Sequence, residues 1–375
     1  MRGPIVGGLI FVSLAAAAFA CGSSSNNTPS SGADAGYDSG YVYTSPGTST
    51  TYDASTSTTA TTTFAGCNVF LSGSAWNTDV STSAVDATQT TQLTTSFGTG
   101  DTIHLNFGKT DDTRGYIINT GTAATTPIGL TIYSGATNVA QSDKVACPSG
   151  VTGETCFPIP TTAKISNDNN NTVLFLDTTG TPTGCTAYEV TQASAWSGAL
   201  KPEQDVEFAA KWPLNSNNLK TDQFRSASVS GTSILAGLLK REDITKGTLT
   251  HALRVTMPTK YIRNAWVHPA TWSNATSTDT TRFALGTRFR LKASIVETSF
   301  TGDALIIIRG LKKYGVILTD GVNGNDFSID GETNDGWTMN DSATGLNDKI
   351  ADVINITDFE IVNTGTATAA TPNND

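Results

Sequence analysis

Positive charge is scarce in this chain. Its 23 Lys and Arg stand against 33 Asp and Glu, for a net charge of −10 over 375 residues. A nucleic-acid binder carries the opposite balance, so that class is excluded. Long apolar runs are missing after the N-terminus, and a polytopic membrane protein needs several of ~20 residues. Charged residues make up only 15%, and Thr, Ser, Asn and Gly prevail, which is not the Ala, Glu, Lys and Leu texture of a coiled coil. The chain also lacks a phosphate loop, a dinucleotide fingerprint, an H-E-x-x-H zinc motif and a G-x-S-x-G elbow.

What is present begins with an address. Met1-Arg2-Gly3 gives a short positive start, residues 4–20 are apolar and end in small side chains, and Cys21 follows Ala20. That order is a secretory signal. Ala18, Ala20 and Cys21 resemble the lipoprotein signal of bacteria, in which the Cys receives lipid. The resemblance implies a signal peptide over 1–20 and a membrane anchor on Cys21, durable because several acyl chains hold where one does not. Gly22 after the Cys resembles the pattern of outer-membrane lipoproteins, which points to the outer membrane or cell surface.

Residues 21–66 carry the lipidated Cys and then a Ser/Thr/Gly-rich stretch with almost no large aliphatics. Such a segment cannot bury enough apolar surface to offset its ordering entropy, so a disordered tether is expected. Its reach is ~35–40 Å by square-root scaling. Residues 363–375 share the composition and read as a disordered tail. Between them, residues 67–362 form one body, long enough for a large core.

Short alternating runs recur through that body between Gly, Asn and Asp turns, as at 102–107, 129–133, 172–176 and 288–293. These are strand signals. Helices are expected over 234–239 with Ser230 as cap, 304–314 with Asp303 as cap, and 346–353 after Gly345. The expected fold is mainly β: an antiparallel β-sandwich or jelly-roll-like body with a few short helices.

With Cys21 taken by lipid, four cysteines remain, an even number that favours disulfides in an exported chain. Three pairings are open. The favoured one joins Cys147 to Cys156 across a Pro/Gly loop and Cys67 to Cys185. No two of these cysteines have zinc-knuckle spacing and no His lies beside them, which argues against zinc.

Candidate chemistry is spread out. On a strand over 249–257, His251 shares the face of Leu249, Leu253, Val255 and Met257, because strand side chains alternate. It is a buried core histidine or a general acid or base at a cleft. Asp177, Glu189 and Asp243 are the carboxyl groups set beside it, since acid–base cleavage of a glycan needs such groups facing one another. Trp266 and Trp272 flank His268 in a Pro-containing loop, where exposed rings suit the apolar faces of sugars. Arg288, Arg290 and Lys292 share one strand face and suit an acidic glycan, or carboxylates on the next strand. Asp320, Asn323 and Asp326 put oxygen ligands on a Gly-rich loop, which suits Ca²⁺, although the spacing is not that of an EF-hand. An acidic turn is the plain alternative there.

Several words also run in order along the body: Cys67-Asn68-Val69-Phe70 with Trp76-Asn77-Thr78-Asp79, Trp212-Pro213-Leu214-Asn215, His251-Ala252-Leu253-Arg254, Arg290-Leu291-Lys292-Ala293-Ser294 and Leu311-Lys312-Lys313-Tyr314-Gly315. They resemble a family of exported bacterial proteins with no settled activity. Its members carry His-Pro-Asp-Phe-Gly where this chain has His104-Leu105-Asn106-Phe107-Gly108, and an Arg-His pair after the Pro-Ala at Pro269-Ala270. If the family is enzymatic, the resemblance implies an altered or inactive member.

Two functional readings follow. In the first, a cell-envelope lipoprotein binds polysaccharide and, by extension, cleaves it by acid–base chemistry. In the second, a non-catalytic surface or adhesion module is stiffened by Ca²⁺. The partners in either case are the membrane, through Cys21, and polysaccharide, with no nucleic acid.

Overall fold

The computed structural model describes residues 62–369, apart from 111–114, 134–139, 169, 193–198, 325 and 342. The signal peptide, Cys21, residues 22–61 of the tether and residues 370–375 of the tail lie outside the described residues.

In chain order the strands begin with β1 (Thr63–Phe64), β2 (Cys67–Asn68), β3 (His104–Asn106), β4 (Ile118–Gly121), β5 (Ile128–Ile132) and β6 (Thr155–Phe157). They continue as β7 (Val173–Asp177), β8 (Thr186–Thr191), β9 (Glu203–Val206), β10 (Phe208–Pro213), β11 (Leu253–Pro258) and β12 (Ile262–Trp266). The rest are β13 (Phe283–Leu285), β14 (Arg288–Leu291), β15 (Val316–Val322), β16 (Ser328–Asp330), β17 (Phe359–Val362) and β18 (Thr368–Ala369). Among the described residues the α-helices are few: α1 (Ala87–Ser96), α2 (Ile234–Gly237), α3 (Arg241–Thr245) and α4 (Gly302–Lys313). The fold is mainly β, and antiparallel strand pairs outnumber parallel ones.

Two larger sheets make the frame. One has the order β10-β8-β7-β4 and the other β17-β14-β15-β11-β16-β3. Strand alternation explains how they stack. On β7, Val173 and Phe175 face a cluster shared with the small β6-β5-β9 sheet, while Leu174 and Leu176 face the cluster that holds Ile317 of β15. β7 is therefore apolar on both faces and reads as a continuous apolar run. The six-stranded sheet turns Val255, Leu318, Phe289 and Ile329 to the main core, together with Ile307, Ile308 and Leu311 of α4 and Trp266 of β12. Its other face carries Arg288, Arg290, Arg254, Asp330 and Asn106 at alternate positions.

Both disulfides pair as favoured: Cys67–Cys185 and Cys147–Cys156, with sulfurs 2.07 and 2.10 Å apart. Such bridges belong to an oxidising, extracytoplasmic setting. Among the described residues, no helix is long and apolar enough to cross a membrane.

Several boundaries differ from the sequence expectation. The described residues already include part of the expected tether, a hairpin in which Phe64 pairs with Cys67 and is buried. Ala65 and Gly66 turn it with φ of 50° and 79°, the left-handed pair that a two-residue hairpin loop requires. The tail supplies β18, whose Thr368 and Ala369 pair with Trp266 and Ala265. Helix α2 is capped by Ser233, not Ser230. Asp303 lies in the first turn of α4, after Thr301 as cap, and pairs with Arg241 at 2.5 Å. The last expected helix is a π-helical turn over Asn347–Ala351. Helix α1 was not foreseen, because its Thr/Gln-rich sequence buries only Leu93 and shows no apolar stripe.

Candidate functional site

The four groups expected to do acid–base work do not converge on a cleft. Glu189 faces the space between the two large sheets and is fully buried. It accepts hydrogen bonds from Trp212 Nε1 (3.0 Å), the Ser233 hydroxyl (2.7 Å) and the backbone N–H groups of Ile234 and Leu235 (both 3.0 Å). Burial pushes its pKa up and these four donors act against that. It is a structural carboxyl that closes the N-terminus of α2. Asp177 accepts from Ala123 N (3.1 Å), Thr179 N (3.0 Å) and the Thr179 hydroxyl (2.6 Å), which spends it on a turn.

His251 and Asp243 do meet, with Nε2 3.2 Å from Oδ2, but both are buried. The expected strand over 249–257 starts only at Leu253, and His251 sits in the bend before it. Its Nδ1 donates to Ala252 O at 2.8 Å, and Lys240 Nζ lies 3.5 Å from Nε2. Lys240 is also buried, and donates to Leu238 O at 2.9 Å. Burial raises the Asp243 pKa, but His251 and Lys240 outweigh it and hold the carboxyl below its ordinary value. A buried pair of this kind holds α3 in place and presents nothing to a substrate.

The basic ladder is also inward. Arg288 donates to the carbonyls of Tyr314 (2.9 Å), Thr78 (3.0 Å) and Ala75, and Arg290 to Ser83 (3.1 Å) and Val80. Arg290 Nε pairs with Glu360 on β17 at 2.9 Å. Lys292 donates to Thr357 O at 2.7 Å. These cations stitch the segment over 75–83 and β17 onto the sheet, so none of them forms a glycan-facing row. On the expected calcium loop, Asp320 lies on β15 rather than in the turn, and its charge partner is Arg254. Asp326 pairs with His104 at 3.7 Å, and Asn323 is exposed. Among the described residues no group of three His, Cys, Asp or Glu could hold a metal ion.

Of the aromatic loop, Trp266 is 1% exposed and belongs to the main core, because its position on β12 turns it inward. His268 remains near the surface, its Nε2 2.7 Å from Asp222. Trp272 is half-buried, with the Arg225 guanidinium 5.4 Å from its ring. Pro269, between them, borders a recess. Phe70, Trp76 and Trp212 give this recess an aromatic wall, and Asn217, Asn218, Ser74 and Thr232 supply amides and hydroxyls. Trp212 is held by its bond to Glu189, and Asn217 Oδ1 accepts from Leu71 N at 2.8 Å. The recess is therefore pre-formed, its walls fixed by buried hydrogen bonds. The Trp76 and Trp212 words were legible in the sequence, but nothing there showed that they meet.

A second polar centre lies on the inner face of the six-stranded sheet. Arg254, 1% exposed, pairs through Nε with Asp330 at 2.7 Å, and Asn106 Nδ2 bonds the other Asp330 oxygen at 2.8 Å. Tyr116 stacks over the guanidinium at 5.4 Å. Burial lowers the Arg254 pKa, but Tyr116 and Asp330 outweigh it and hold the group firmly charged. Sequence reading passed over Arg254, although a cation between Leu253 and Val255 is itself a signal of a polar inner face.

No family model, no curated protein and no solved structure matches this chain.

Proposed function

We propose that this is a cell-envelope lipoprotein, tethered through Cys21, whose body binds polysaccharide in the recess walled by Phe70, Trp76 and Trp212. The recess is the observation that carries the reading. Sugars show apolar C–H faces and polar hydroxyl edges, and this recess offers aromatic surface beside Asn217, Asn218 and Thr232. Aromatic rings supply apolar area at little entropic cost, while a few placed polar groups fix orientation. Two disulfides fit the exterior of a cell, and the signal-like N-terminus fits delivery to it.

Retention of the full-length protein on immobilised neutral and acidic polysaccharides tests this. At least one glycan should retain the wild type. Leu219→Trp, which adds bulk at a half-buried position lining the recess, should cut retention about tenfold with melting unchanged. Equal retention of both proteins would place binding elsewhere. No retention on any glycan would move the weight to a non-catalytic structural role.

A further inference from the structure

We propose that Asn323 is a self-modification site: with no enzyme, its side chain closes on the backbone nitrogen of Gly324 and becomes aspartate and isoaspartate. This chemistry is independent of the polysaccharide reading.

Asn323 is the one asparagine of the chain that precedes a glycine. The backbone nitrogen of the next residue is the nucleophile, and a side chain on that residue crowds its approach. Glycine has no Cβ and bends freely, so both obstacles are removed.

The fold leaves this pair open. On β15, Leu318 pairs with Val255 and Asp320 with Thr256, which makes Thr319 a bulge, and the strand ends at Val322, opposite Pro258. Strand β16 begins at Ser328. Asn323 and Gly324 lie in the turn between them, and both are exposed. Among the described residues, no hydrogen bond holds the Asn323 amide or the Gly324 N–H. A Cβ built on Gly324 would meet no atom within 4 Å, so the space around the nucleophile is free.

Comparable groups elsewhere are held. Gly321, which follows Asp320, donates its N–H to Asp320 Oδ1 at 2.7 Å. Asn334 Oδ1 accepts from Gly336 N at 2.9 Å, Asn340 Oδ1 from Asn347 Nδ2 at 2.7 Å, and Asn355 Oδ1 from Gly100 N at 3.0 Å. Each of these must lose a bond before its side chain can turn onto its own backbone.

In the step itself, the Gly324 nitrogen gives its proton to hydroxide and bonds to Asn323 Cγ. The bond from Cγ to Nδ2 breaks, and ammonia leaves with a proton returned by solvent. The product is a five-membered succinimide. Water then opens the ring. Cleavage of the bond from the nitrogen to Cγ gives aspartate, and cleavage of the bond to the backbone carbonyl carbon gives isoaspartate. The sum is one water taken up and one ammonia released.

The new carboxylate joins a turn in which Asp326 already faces His104 at 3.7 Å. The extra methylene that isoaspartate puts into the backbone stays in the turn, because Val322 is paired before it and Phe327 is buried in the main core after it.

The test is to incubate the full-length protein from pH 6 to 9 and follow every asparagine by peptide mapping and mass spectrometry. The Asn323 peptide should gain the mass of an amide-to-acid change faster than any other. Its rate should rise with pH, and the product should divide between aspartate and isoaspartate, with melting unchanged. Gly324→Ala should slow the change severalfold. Asn323→Gln, whose ring would be six-membered, should abolish it. Conversion at Asn323 no faster than at the other asparagines overturns the inference. So does a product that is aspartate alone, which marks direct hydrolysis, or an unchanged rate in Asn323→Gln.

Discussion

Four donors converge on the Glu189 carboxylate, and three of them belong to the start of α2. Glu189→Ala would leave those groups buried without a partner, at a cost of ~3 kcal/mol or more. Chemical denaturation should show that loss, and Glu189→Ala should unfold at markedly lower denaturant than a surface substitution does. His251→Ala should behave alike, since it strands Asp243 and Lys240 in the interior. Asp320 differs because its carboxyl takes a single backbone N–H, from Gly321 at 2.7 Å. Its folded pKa near 6 stands above the ordinary 3.8, so folding favours the protonated form. The stability this gives is full below about pH 4 and is lost as pH rises through about 6. Thermal melting across pH 4–8 should show that decline in the wild type. In Asp320→Asn, which stays neutral, the decline should be smaller. The sequence showed each of these carboxyls but not its partners, which come from residues as distant as Ile234 for Glu189 and Arg254 for Asp320.

At the scale of elements, strands were legible where side chains alternate or run apolar, as at β7 and β14. Helix α2 was legible but carried a puzzle in Gly237. A Cβ at that position would come within 2.5 Å of the Trp76 ring and 2.8 Å of Arg254 Cβ. The glycine therefore permits close packing of α2 on Trp76, which also walls the recess. The bulge at Thr319 was not legible, because one extra residue in a strand leaves no mark on composition. That is why Asp320 read as a loop residue. The hairpin of β1 and β2 was hidden by the Ser/Thr-rich sequence before it. The disulfide that ties this hairpin to Cys185 closes 118 residues, against 9 for Cys147–Cys156. Chain entropy makes the long closure worth about 5 kcal/mol and the short one about 2.5. Replacing Cys67 and Cys185 with Ser should therefore lower stability about twice as much as replacing Cys147 and Cys156, as read from denaturation midpoints.

Across the whole molecule, layers of sheet and helix bury apolar clusters on either side of the central four-stranded sheet, while the six-stranded sheet turns a charged face inward. Composition foretold the β layers. The inward charge was foretold in part, as a ladder at Arg288, Arg290 and Lys292 that suits an acidic glycan or carboxylates on the next strand, and Arg290 does meet Glu360 on β17. An aromatic recess and a buried charged centre are features of the assembled fold, and no stretch of sequence contains either. The most direct test of the account is hydrogen–deuterium exchange on the full-length protein, with and without a retained glycan. The account predicts protection concentrated in residues 70–76, 212–219 and 231–233, the segments that form the recess. Protection confined to other segments, or none at saturating glycan, would contradict it.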